Sequence, residues 1–208
     1  YEIPYMLLIT AVLLVMGMTG NEITFIEGVI LWILFIAYLL YLYILAKKGN
    51  DSGDEQSVKL YPVWKCLLFI VLGGVCVVIG SQFVVNGATT IARACGMSER
   101  FIGLTIVAFG TSLPELVTSV SAARKGNAGI AIGNIVGSNI FNILFVIGTV
   151  ALICPVPFES RFVIDTVVAI LCGVLLWGGT IRHKELRKPC GVVMLLCYAA
   201  YFVYLAAM

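Results

Sequence analysis

The chain has 208 residues, of which 61% are hydrophobic and only 12% charged, with 13 Lys and Arg against 11 Asp and Glu for a formal charge of +2. Together with a mean hydropathy of +1.07, this composition lies far outside that of soluble domains, and so small an excess of base excludes nucleic acid as the partner. An all-α membrane protein is expected, because the apolar runs lack the alternation of a lipid-facing barrel and are about twice the length of its strands.

A helix needs about 20 residues to cross about 30 Å of hydrocarbon, and about seven transmembrane helices are predicted in chain order, over 4–18, 24–46, 64–94, 102–123, 128–153, 162–181 and 190–207. The first run is short. The absence of a methionine or signal-peptide pattern at Tyr1 leads to the expectation that the chain is part of something longer. Thr24 and Glu27 have the spacing of a capping box at the start of the second helix, which makes Glu27 structural. The stretch KKGNDSGDEQSVKLYP is polar and rich in Gly and Ser. It divides the chain into a pair of helices (1–46), a cytoplasmic linker (47–63) and a group of five helices (64–208). In the third helix Gln82 and Asn86, four residues apart, are expected to hydrogen-bond between helices. In the sixth, Asp165 follows Arg161 by four residues and is expected to pair with it. His183 lies in a basic loop and is expected to be solvated. The seven cysteines form no CxxC pair and read as small apolar fillers.

The basic residues orient the chain. Lys47, Lys48, Lys59 and Lys65, then Arg124 and Lys125, then Arg182, Lys184, Arg187 and Lys188 follow the second, fourth and sixth helices. Only Arg93, Arg100 and Arg161 lie near the opposite ends. The first set is therefore expected to be cytoplasmic, with the first helix entering from inside and Met208 outside.

Chemistry is concentrated in the fourth and fifth helices. Glu115 sits within an apolar run, directly after Pro114, and the nearest basic side chain along the chain is Arg124. A carboxylate at that depth costs several kcal/mol unless water, a partner or an ion compensates it, so it marks a functional site. Pro114 lacks an N–H and obstructs the carbonyl of Gly110, which predicts a broken helix. Breaks of this kind occur in membranes where they line a cavity, often at transporter sites. Thr111, Glu115 and Ser119 recur every four residues, with Ser112 three before Glu115, so hydroxyls share a face with the acid. Asn134, Ser138 and Asn142 repeat the spacing in the fifth helix. Neutral oxygens and one acid suit hard cations such as sodium and calcium, not zinc or copper. The alternative for Ser119, Asn134 and Asn142 is helix packing, aided by a stripe of Gly129, Gly133 and Gly137.

The run IGLTIVAFGTSLPELVTSVSAARKGN (102–127) and the run IAIGNIVGSNIFNILFVIG (130–148) resemble an alpha-repeat of the calcium/cation antiporter superfamily, the sodium/calcium exchangers, in particular the bacterial type. The motif occupies 102–148, and the helix pattern extends the likeness to most of the chain. The resemblance implies two inverted repeats of five helices, of which 64–207 would be the second. It implies that Glu115 is the central carboxylate ligand of a metal cation, that Thr111 and Ser112 supply oxygens, and that Ser138 and Asn142 complete this half of the site. Only one alpha-repeat is found. A divalent ion in a low-dielectric site wants about two negative charges, so the partner expected besides the bilayer is a missing N-terminal repeat or a second copy of the chain.

The function these residues imply is membrane antiport of calcium against sodium by alternating access, with no cofactor, in a multi-pass protein of a bacterial inner membrane. H+ or K+ are further candidate ions; some potassium-dependent relatives have aspartate at the position of Asn142. The alternatives are a proton/calcium antiporter and a membrane assembly module that does not transport. An enzyme is not expected, for there is no HExxH, GxSxG or intramembrane histidine base.

Overall fold

The computed structural model describes residues 2–49, 62–97, 99–181 and 186–207, leaving aside the side chains of Arg100, Phe101, Leu104, Ala108, Arg161 and residues 205–207. Most of the linker expected over 47–63, His183 in its basic loop, and the Arg161 side chain expected beside Asp165 lie outside the described residues. The chain divides into two compact units, one of Tyr1–Gly53 with Ala128–Met208 and the other of Asp54–Asn127.

In the first unit, α1 (Glu2–Gly20) and α2 (Phe25–Gly49) form a hairpin joined through β1 (Glu22–Ile23). A long helical run follows from Ala128 to Ile153. It consists of α7 (Ala128–Phe141), a π-helical turn (Asn142–Ile147) and α8 (Gly148–Ile153). β2 (Val156–Pro157), α9 (Ser160–Thr180) and α10 (Lys188–Ala207) complete the unit. Between helices in lipid there is little hydrophobic drive, so association rests on close packing and on hydrogen bonds. Glycines at α2 and α8 supply the closeness: a Cβ on Gly28 would lie 3.0 Å from Ala151 Cβ, and one on Gly148 would lie 3.2 Å from Leu31 Cβ. Trp32, Phe35, Phe141 and Phe145 interlock beside this crossing, with Phe141 and Phe145 stacked at 4.7 Å. Ile9, Leu31, Val136, Ile140 and Leu144 are fully buried at its centre. The glycine stripe expected at Gly129, Gly133 and Gly137 does not serve this purpose among the described residues, because a Cβ at any of the three would meet nothing within 4 Å.

The two short strands pair antiparallel, Glu22 opposite Pro157 and Ile23 opposite Val156, and the Phe158 N–H donates to the Asn21 carbonyl at 2.8 Å. Asn21 adopts φ 55 there, a conformation asparagine tolerates better than most residues. Both strands belong to loops that the basic residues place outside, and their pairing requires one common side. Thr24 and Glu27 form the expected capping box: the Thr24 N–H donates to Glu27 Oε2 at 2.7 Å and the Glu27 N–H to Thr24 Oγ1 at 3.5 Å. Asp165, expected beside Arg161, accepts a 2.6 Å hydrogen bond from the Tyr201 hydroxyl, which fastens α10 to α9.

The second unit holds α3 (Val63–Ala94), α4 (Glu99–Ile102), a π-helical turn (Gly103–Val107), α5 (Ala108–Thr111) and α6 (Leu113–Arg124). Trp64, Phe69, Val75 and Phe83 of α3 are exposed, as suits a helix in contact with lipid. Beyond its end, Arg93 and Glu99 form an exposed ion pair at 2.6 Å. The hydrogen bond from Arg93 holds the Glu99 carboxyl below its usual pKa.

Five helices are long and apolar enough to cross a bilayer among the described residues: Glu2–Gly20, Phe25–Lys48, Val63–Ala94, Ala128–Ile153 and Phe162–Thr180. The bent pair Thr105–Thr111 and Leu113–Arg124 makes a sixth if taken as one span. The difference from seven lies in that break and in α10, whose apolar stretch Lys188–Tyr204 is shorter than the others.

Two glycine contacts give testable outcomes. Gly17→Ala would set a methyl 2.3 Å from Phe158 Cγ, whereas nothing lies within 4 Å of such a methyl on Gly20. Thermal unfolding in detergent is expected to show a loss of about 1–3 kcal/mol for Gly17→Ala and none for Gly20→Ala. A Cβ on Gly110 would lie 2.0 Å from Val85 Cγ2 but 3.3 Å from Val85 Cβ. Gly110→Ala should therefore destabilise by a similar amount, and adding Val85→Ala should recover most of the loss.

Candidate functional site

Pro114 places the break where the sequence predicts it. α5 ends at Thr111, and Ser112 leaves the helix at φ −94, ψ 1. The helix restarts at Leu113 with Pro114 in its first turn, where a missing N–H has no partner to lose. The axes on either side differ by 51°. The Ser112 N–H turns back to the Phe109 carbonyl at 3.1 Å, and the Leu116 N–H takes the Ser112 carbonyl at 3.0 Å. Gly110 is buried against α3 through Val85, which leaves no room for a larger residue just before the bend.

Thr111, Ser112 and Glu115 are brought together around this break. Glu115 stands in the first turn of α6, where the positive end of the helix dipole favours a carboxylate. It is half-buried, and its Oε2 is fully buried. Thr111 and Ser112 are exposed on the surface of the unit. The carbonyls that end α5 point along its axis at the same break, so carbonyl and carboxylate oxygens are concentrated within one turn. Ser119 is buried one turn beyond Glu115, and Thr118 returns its hydroxyl to the Pro114 carbonyl at 2.8 Å. Thr89 on α3 also belongs to the polar inventory of this unit. It lies one turn from Val85, and its buried Oγ1 has no hydrogen-bond partner among the described residues. Its relation to the break could not be read from sequence, because it depends on which face of α3 carries Val85.

Ser138 and Asn142 lie on the helical run of the other unit, one turn apart. Ser138 is half-buried, and Asn142 is exposed and opens the π-helical turn. Such turns are uncommon and concentrate at functional sites. Between them Asn139 donates its amide to the Ile135 carbonyl at 2.9 Å, so its nitrogen is committed to its own helix. A second π-helical turn, Gly103–Val107, immediately precedes α5. Neither turn carries a signal in the sequence.

The donors available are therefore hydroxyls, an amide, carbonyls and one carboxylate. Among the described residues no three His, Cys, Asp or Glu side chains converge, and all seven cysteines are free thiols. This is a donor set for a hard cation in transit, held by oxygen alone.

Known proteins carry the same pattern. The family model described as "Sodium/calcium exchanger protein" matches residues 65–207. The chain is 38% identical over 142 residues to the sodium/calcium exchanger MaX1 of Methanosarcina acetivorans, covering 68% of this chain and 41% of that protein. It is 32% identical over 214 residues to the inner membrane protein YrbG of Escherichia coli, covering 93% of this chain and 62% of YrbG. The solved structure of the sodium/calcium exchanger from Methanococcus jannaschii superposes with a TM-score of 0.78 at 31% identity, covering 97% of this chain and 63% of that one. The chain thus spans less than two thirds of the length of these relatives. Motif, fold and family model agree: this multi-pass membrane protein belongs to the sodium/calcium exchanger family, a family of transporters and not of enzymes.

Proposed function

We propose that this chain forms part of an antiporter that moves calcium against sodium across the membrane by alternating access, with Glu115 as its central cation ligand. The observation that carries the reading is the Glu115 carboxylate in the first turn after a helix break, with one oxygen buried in an otherwise apolar span. Thr111 and Ser112 add oxygens beside it, and Ser138 and Asn142 act as ligands from the other unit. Sodium and calcium would occupy overlapping oxygens in turn, so that the gradient of one drives the other. The names of MaX1 and of the Methanococcus jannaschii structure support this pair of ions.

Electrostatics requires more than this half supplies. A divalent ion leaving water wants about two compensating charges, and only Glu115 is an acid in the two motif-bearing helices. The second carboxylate is proposed to come from a further alpha-repeat in a longer protein, with a second copy of this chain as the alternative source. The greater length of the relatives supports the former. Asn142 carries no charge of its own, which argues against a potassium requirement in this protein.

Radioactive calcium uptake into vesicles holding the full-length protein tests the reading. An imposed sodium gradient should drive uptake at fixed pH, and a proton gradient at fixed sodium should not; the reverse result would assign protons as the counter-ion. Glu115→Gln, which removes the charge and keeps the shape, should lower uptake more than about tenfold, the equivalent of about 1.4 kcal/mol. Undiminished uptake in that variant would show that the motif only packs helices.

A further inference from the structure

The inner end of the α1–α2 hairpin holds a feature that ion exchange does not use. Glu2, Tyr5, Leu34, Ala37, Tyr38 and Tyr41 line a cavity of about 340 Å³. Tyr5 and Tyr38 stack in parallel with ring centroids 5.3 Å apart, and the Tyr5 hydroxyl is held by the Leu34 carbonyl at 3.0 Å, so this wall is fixed. Glu2 stands at the mouth, in the first turn of α1. Glu2 and Tyr41 also border a second cavity of about 550 Å³ in the same unit, walled mainly by apolar side chains such as Ile3, Leu45, Ile132, Val136 and Trp177. Gly129 and Gly133 line that cavity too, and their lack of side chains keeps it open. Tyr38, Tyr41, Leu45 and Lys48 follow at i, i+3, i+7 and i+10, which puts all four on one face of α2.

We propose that these joined cavities bind one phospholipid of the cytoplasmic leaflet whose headgroup ends in a primary ammonium, that is, a phosphatidylethanolamine. The polar features run in the order such a lipid requires. A carboxylate and tyrosine ring faces meet the ammonium, the first by hydrogen bonds and the second through the ring quadrupole. Lys48 continues the same face into the region of the phosphate, and the apolar cavity takes acyl chain. Tyrosines collect at the headgroup level of membranes for this reason, one end being apolar and the other wet. A choline headgroup fits less well. It cannot donate to Glu2, and two of the three rings are stacked on each other instead of facing a common centre. An anionic headgroup would bring its charge against Glu2. This inference rests on the first unit alone and not on which ions are exchanged.

The test is lipid retention by the full-length protein in detergent, followed by native mass spectrometry, with phosphatidylethanolamine, phosphatidylcholine and phosphatidylglycerol supplied in equal amounts. Phosphatidylethanolamine should be retained about tenfold over phosphatidylglycerol and severalfold over phosphatidylcholine, and Glu2→Gln should remove the preference. Equal retention of the three lipids, or a preference for phosphatidylcholine, would overturn the proposal. So would a phosphatidylethanolamine preference that persists in Glu2→Gln. The headgroup comparison uses the unaltered protein, so it decides the matter even if the variant does not fold.

Discussion

Hydrocarbon offers a polypeptide no hydrogen-bond partner, and that single constraint explains both the regularity of this chain and its one sharp irregularity. Wherever the backbone can satisfy itself, it forms long helices: Val63–Ala94 runs 32 residues without interruption, and Phe25–Gly49 runs 25. At Ser112 the rule is broken by a residue that cannot donate, and the polar groups released have to be answered locally. The break is also where the only acid of that helix lies. A proline at this point removes a donor, and a carboxylate adds an acceptor, so the region accumulates oxygen. A cation is the complement of such an excess. The 51° bend is in this sense a source of ligand atoms as much as a change of direction.

The packing around the break has the same economy. In lipid, two helices gain by approaching closely, and small residues decide where they can. Gly110 admits Val85 immediately before the bend, and Gly28 and Gly148 let α2 and α8 cross in the other unit. The aromatic cluster of Trp32, Phe35, Phe141 and Phe145 then brackets Asn142 on both sides in sequence. The predicted ligand at the start of the π-helical turn is thus flanked by large rings whose positions are fixed. A ligand set assembled from hydroxyls and an amide binds weakly enough to release its ion, which a carrier needs and a storage site does not.

Much of this was legible from residues alone. Apolar runs gave the helices because length and hydropathy are the physical requirements of crossing a bilayer, and Pro114 gave the break because its missing donor acts locally. The capping box of Thr24 and Glu27 was legible for the same reason, being set by residues three apart. What escaped was non-local. Tyr201 reaches Asp165 across 36 positions of sequence, Trp32 reaches Thr149 across 117, and no pattern near either residue announces its partner. The glycines at 129, 133 and 137 have helical spacing but border a cavity, whereas the glycines that do pack, 28 and 148, lie in different helices and form no stripe. The π-helical turns at 103–107 and 142–147 arise from single-residue shifts in hydrogen bonding that side-chain periodicity does not record.

The two-residue ribbon between Glu22–Ile23 and Val156–Pro157 has a mechanical meaning out of proportion to its size. With the Phe158 ring seated on Gly17 and Ile23 wholly buried, it rivets the outer ends of two helical pairs, while the cytoplasmic ends of the same helices enclose open volume. A structure fastened at one end and hollow at the other deforms like a pair of tongs. Any motion within this unit should therefore swing from an extracellular fulcrum and be largest at the inner mouth.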